Sequence, residues 1–169
     1  MENQIRHTLH WIFLTGAIWV LIITMIPRSF IKKLWLPALI TGFALTYLIN
    51  LLAVGYLKMW NFPPTALTLC YTPLFLALSW YGAILLFDYL VLVYSRFKIP
   101  LIFLFALLTI LIFWDASKEG HLKMLQWSIA ETFFTAIITH GISLIVLKFF
   151  TKNKDLEANE DPFGFGGDY

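Results

Sequence analysis

The chain has 169 residues, 60% of them hydrophobic and only 13% charged, with a formal net charge of +2. Soluble domains carry about 25% charged residues, so the composition excludes an ordinary soluble domain, and the small charge gives no basis for a nucleic-acid partner. The single cysteine, Cys70, excludes an internal disulfide and reads as a small apolar filler.

Five apolar runs occupy most of the chain, at 8–26, 34–57, 70–95, 99–114 and 125–150. A hydrocarbon core of ~30 Å needs ~20 apolar residues of helix to cross it. The runs therefore predict an all-α, polytopic transmembrane bundle of five spans over residues 1–150, followed by a tail at 151–169.

The first run is longer than a secretory h-region and no A-x-A-like site follows it, so it reads as a retained span. A short connection at 27–33 carries Arg28, Lys32 and Lys33, which set topology. The second run holds Gly42, Asn50 and Gly55, with Tyr47, Tyr56 and Trp60 toward its outer half. Pro63 and Pro64 then break the helix. A helix running from there to Ser95 is too long for a straight span. Pro73 accordingly predicts either a kink or a short interfacial helix before the third span. Arg96-Phe97-Lys98 is so tight a link that the third and fourth runs must be antiparallel neighbours. The fourth run spans about 24 Å as a helix, with Phe97 and Trp114 as end anchors. A polar loop at 115–124 leads to the fifth run.

The tail changes character. Lys152 and Lys154 face five acids, Asp155, Glu157, Glu160, Asp161 and Asp168, and Phe163, Phe165 and Tyr169 are candidates for docking. Five spans place the N-terminus and the second and fourth loops on one side with Arg6, Lys58, Lys118 and Lys123. The other side carries Arg28, Lys32, Lys33, Arg96, Lys98, Lys148, Lys152 and Lys154. Cations accumulate on the cytoplasmic side, so the expected topology is N-terminus outside and tail in the cytoplasm, in the cell membrane as a multi-pass protein.

Ionisable groups at bilayer depth are functional candidates by default. Asp88, Glu131 and His140 are the three here, with Asn50 as a further polar candidate. The spans place Asn50 and Glu131 in the outer half and Asp88 and His140 in the inner half. These depths give two polar layers, one pairing the second and fifth spans and one pairing the third and fifth. Glu131 and His140 lie nine residues apart, on opposite faces of the fifth helix. Glu131 shares its face with Ser128, Thr135 and Thr139, and His140 with Ala136 and Ser143. A helix polar on both faces is expected to be central or to meet another protein. Asp88 has three readings: it locks the bundle by accepting bonds from Tyr81, Tyr89 or His140, it belongs to a proton or solute path, or it serves a partner interface.

A lone mid-span histidine gives no paired haem ligands within the chain. Asp115, Glu119 and His121 share an end with His7 and His10, but their spacing matches no metal motif. No cofactor and no metal is expected, and no catalytic motif is present in the sequence.

Trp60-Asn61-Phe62-Pro63 after a Tyr- and Asn-containing helix end, the short basic turn at 96–98, and Trp114, a polar loop and Trp127 form an arrangement covering about two thirds of the chain. It resembles a family of small, uncharacterised polytopic membrane proteins of Gram-positive spore-forming bacteria. The resemblance implies a small bacterial membrane protein and brings no activity with it. The first functional expectation is a non-enzymatic subunit or accessory component of a larger membrane assembly, or a homo-oligomer, with membrane lipids and other membrane subunits as partners. The alternatives are a small transporter or channel using Asp88, Glu131 and His140, and a membrane-embedded lipid-modifying enzyme using Asp115, Glu119 and His121.

Overall fold

The computed structural model describes residues 2–151. Five helices are long and apolar enough to cross a membrane: α1 (Glu2–Met25), α2 (Arg28–Tyr56), α3 (Leu74–Val93), α4 (Lys98–Lys118) and α5 (Ile129–Thr151). Four two-residue strands lie in the connections: β1 (Trp60–Asn61), β2 (Thr68–Leu69), β3 (Thr72–Pro73) and β4 (Lys123–Met124).

Several boundaries differ from the sequence expectation, each for a local reason. The basic residues Arg28, Lys32 and Lys33 begin α2 rather than forming a loop, since Pro27 tolerates the position just before a helix. Pro73 neither kinks a helix nor follows an interfacial one; it precedes the first residue of α3, where its missing amide costs nothing. Ahead of it, β2 and β3 pair antiparallel around Cys70 and Tyr71, which take φ of 46° and 64°. Two successive left-handed residues are what a tight two-residue hairpin turn demands. Helix α4 has 21 residues, not 16, because it begins at Lys98 and Asp115, Ala116, Ser117 and Lys118 continue it. Helix α5 starts at Ile129, behind a cap in which Ser128 N donates to Glu131 Oε2 at 2.6 Å and Glu131 N donates to Ser128 Oγ at 3.3 Å.

Helix α3 is the hub. It packs on α1, on both halves of α2, on α4 and on α5. More than half of its apolar window is buried, 56%, against 22% for α5. The fifth helix is therefore not the central one. Its exposed face carries Phe134, Ile138, Ile142, Ile145 and Phe149, three or four residues apart. Glu131 of its second face sits in the first turn as part of the cap.

Apolar burial does little to hold helices together in lipid, so close approach matters. A Cβ on Gly42 of α2 would lie 2.7 Å from Tyr81 Cα and 2.8 Å from the Trp80 carbonyl of α3. Only glycine lets the two backbones touch there. Gly82 makes room instead for the side chains of Ile18 and Ile22 of α1, 2.8 and 2.9 Å from where its Cβ would lie.

Helix α2 also changes winding. Leu39–Ala44 and Leu51–Tyr56 are π-helical turns on either side of the α-helical Leu45–Asn50. Such turns shift the side chains that follow them around the helix and occur often at functional sites.

One end of the bundle gathers the N-terminal turn of α1, the α2–α3 connection and the α4–α5 connection. Gln4 Nε2 donates to the Thr65 carbonyl at 3.1 Å, and β1 pairs with β4, Trp60 opposite Met124. The tail candidates Phe163, Phe165 and Tyr169 lie outside the described residues.

Candidate functional site: a hydroxyl-lined cavity in the bundle

A cavity of about 610 Å³, counting its open mouth, lies among α2, α3, α4 and α5. Its apolar wall comes from Leu45, Ile49, Trp80, Ile84 and Phe113. Six threonines face it: Thr41 and Thr46 from α2, Thr109 from α4, and Thr132, Thr135 and Thr139 from α5. The winding of α2 brings Thr41, Leu45, Thr46, Ile49 and Asn50 all to the cavity side.

The hydrogen bonds of the lining have a direction. Thr41 donates to the Pro37 carbonyl, Thr46 to Gly42, Thr109 to Phe105, Thr132 to Ser128 and Thr139 to Ala136. Each of these hydroxyls has used its one proton on its own helix and keeps acceptor capacity. The polar valence left for a guest is therefore mainly acceptor in kind.

Three indoles close the end nearest the connections. Trp60 Nε1 donates to Asn50 Oδ1 at 3.0 Å, and Trp127 Nε1 donates to Thr132 Oγ1 at 3.0 Å. The Trp60 and Trp127 rings meet edge to face at 5.2 Å, and Trp80 packs beside Phe113. Asn50 is buried, and its Nδ2 donates to the Thr46 carbonyl at 2.9 Å.

A second, apolar groove of about 480 Å³ adjoins the first on the flank between α2 and α5. It is lined by Ile40, Ala44, Leu48, Ile142 and Val146, and shares Thr41 and Leu45 with the cavity. These two residues form the wall between the groove and the interior.

The sequence candidates divide. Asn50 lines the cavity but bonds Trp60 of its own connection rather than α5. Asp88 is fully buried on α3; Ser143 Oγ of α5 donates to its Oδ1 at 2.8 Å, and Thr41 Oγ1 lies 3.3 Å from Ser143 Oγ. Ser143 thus stands between the carboxyl and Thr41 of the cavity wall. His140 is also fully buried, its ring packed against Phe87 at 4.8 Å and Phe105 at 5.7 Å. Its Nδ1 contacts the Ala136 carbonyl at 2.7 Å and so carries the proton, leaving Nε2 as an acceptor. Among the described residues neither His140 Nε2 nor Asp88 Oδ2 has a hydrogen-bond partner. The residues proposed for Asp88 in the sequence reading, Tyr81, Tyr89 and His140, do not bond it; Ser143 does. Glu131 is exposed in the first turn of α5 and takes no part in the cavity.

Sequence reasoning missed the threonines and indoles as a set. Thr132, Thr135 and Thr139 recur at helical spacing and could have signalled a polar stripe. Thr41 and Thr46 could not, because five residues bring them together only through the changed winding of α2.

At the connection end, His7 and His10 of α1 meet His121. Burial first, then His10, His7 and the Arg6 guanidinium, hold the His121 imidazole down at about 4. Asp115 opposes this. Across the described residues, no group of three His, Cys, Asp or Glu side chains is set to hold a metal ion.

No family model, curated protein or solved structure matches this chain.

Proposed function

We propose that this chain is a multi-pass protein of the cell membrane that binds, between α2, α3, α4 and α5, an apolar-bodied molecule bearing hydrogen-bond donors. A hydroxylated lipid is the chemical type, reaching the site from the bilayer through the α2–α5 groove. The observation that carries this reading is the cavity itself: apolar walls, and six threonines of which five donate their protons to nearby backbone carbonyls. Small-molecule sites are usually concave, mostly apolar and fitted with a few oriented polar groups. The adjoining groove supports lateral access, since it is lined by aliphatic residues and separated from the cavity only at Thr41 and Leu45.

The first expectation, a partner subunit, has less to support it. The exposed faces of α1, α4 and α5 are continuous aliphatic and aromatic surfaces of the kind lipid itself covers. The transporter alternative survives in changed form, with the threonine cavity as binding site and Asp88 behind it. For the topology, the N-terminus and the two connections gathered at one end carry four cations and the remainder eight. This supports placing that end outside.

The test is binding of a fluorescent long-chain alcohol to the detergent-purified protein, against a methyl ether of the same chain. The alcohol binds saturably and the ether, which lacks the donor, binds at least about tenfold more weakly. Equal binding of the two would refute the donor preference.

A further inference from the structure

Three imidazoles meet at the connection end, none of them lining the cavity. His7 and His10 lie three residues apart on one face of α1. His121 arrives from the α4–α5 connection, and its position is fixed from both sides. Gly120, at φ 74°, turns the chain after α4, and the amides of His121 and Leu122 both donate to the Ala116 carbonyl. Just beyond, Leu122 is buried among Trp11, Trp60 and Phe62, and β4 pairs with β1.

His7 Nδ1 and His121 Nδ1 are 2.7 Å apart, a hydrogen bond in which one ring carries the shared proton. His10 stacks on His121 with centroids 4.0 Å apart and rings 22° from parallel. Both His7 and His121 are buried, and His10 Nε2 is buried with no partner among the described residues. Asp115 and Glu119 lie close enough to His10 to act on it electrostatically, and Arg6 and Lys123 act likewise on His7.

We propose that His7 and His121, joined by His10 when it turns out of its stack, bind one divalent transition-metal ion and so staple α1 to the α4–α5 connection. Zinc–imidazole bonds are about 2.0–2.1 Å long, which sets two tetrahedral ligand nitrogens roughly 3.3 Å apart. The His7–His121 pair reaches that separation by opening about 0.6 Å, with the metal replacing the shared proton. In the resting arrangement the rings pack on one another, and no three ligands among the described residues already form a metal-holding set. Binding therefore requires His10 to rotate out of its stack and the His7–His121 pair to open. Imidazole suits zinc, cobalt, nickel and copper over magnesium and calcium.

The experiment uses the full chain, free of any histidine tag, in mild detergent. Cobalt(II) is titrated while the visible absorption is recorded, and zinc is then added to displace it. The expected result is one cobalt per chain, with the intense bands of a tetrahedral nitrogen-ligated ion, bleached by stoichiometric zinc. His7→Ala and His121→Ala each weaken binding by at least about tenfold, while His140→Gln does not. The wild-type spectrum alone keeps the proposal testable if a variant does not fold. No bound cobalt, an octahedral spectrum, or binding undiminished in folded His7→Ala and His121→Ala proteins would overturn it.

Discussion

Around the cavity, polar atoms face open space; around Asp88 and His140, polar atoms face packed side chains. Thr41, Thr46, Thr109, Thr132 and Thr139 satisfy their own protons locally and leave acceptors toward a void. Asp88 and His140 are fully buried beside Ser143, Phe87 and Phe105, and do not line the void. The difference separates two uses of polarity inside a bundle. Groups in packed surroundings fix how α3 and α5 sit together. Groups beside open volume have valence left for a guest. Charge alone is a poor guide to which is which, because the neutral threonines have the better claim to binding.

That contrast can be broken by perturbing each region separately. The largest effect is expected at the contact on which both depend. Gly42→Val forces α2 from α3 against backbone atoms and destabilises the protein by 3 kcal/mol or more, roughly the upper end for overpacking. Thermal unfolding in detergent would show it, with loss of ligand binding alongside. His140→Ala removes a packed ring and costs about 2–4 kcal/mol, while alcohol binding by the folded fraction stays within about twofold. A binding loss without a stability loss would move His140 into the site.

Ala136→Phe reverses that pattern. Ala136 lines the cavity, so a phenylalanine ring there fills it; binding falls at least about tenfold, equivalent to about 1.4 kcal/mol, and the melting temperature does not fall. Ser128→Ala unmakes the α5 cap and costs about 1 kcal/mol, with no change in binding. The smallest effect is at Thr132→Val. It keeps the shape, removes an acceptor and the partner of Trp127, and lowers affinity a fewfold for a bond worth about 1 kcal/mol.

The five long helices were legible in the sequence because bilayer thickness imposes a length and a composition on them. Their ends were less so. Pro73 reads the same before a helix as within one until the hairpin at Cys70 and Tyr71 is known, and that hairpin depends on two left-handed non-glycine residues. Glu131 looked intramembrane because the run begins at 125, whereas the Ser128 cap starts the helix four residues later. Asp88 and His140 drew notice through their charge, and burial followed from the helices being apolar. The cavity was hidden because it depends on packing that fails to close. The π-turns of α2 and the backbone contact at Gly42 determine that, and neither leaves a periodic mark in the sequence. The histidine cluster was hidden for a related reason: 114 residues separate His7 from His121, and only the antiparallel threading of the helices joins them.

The most direct measurement is native mass spectrometry of the wild-type chain and the Ala136→Phe variant, each taken from its membrane in lipid nanodiscs and released under mild activation. The cavity reading requires one retained hydroxyl-bearing lipid-like molecule on the wild type and none on the folded variant. The same adduct on both proteins, or none on the wild type, would contradict it.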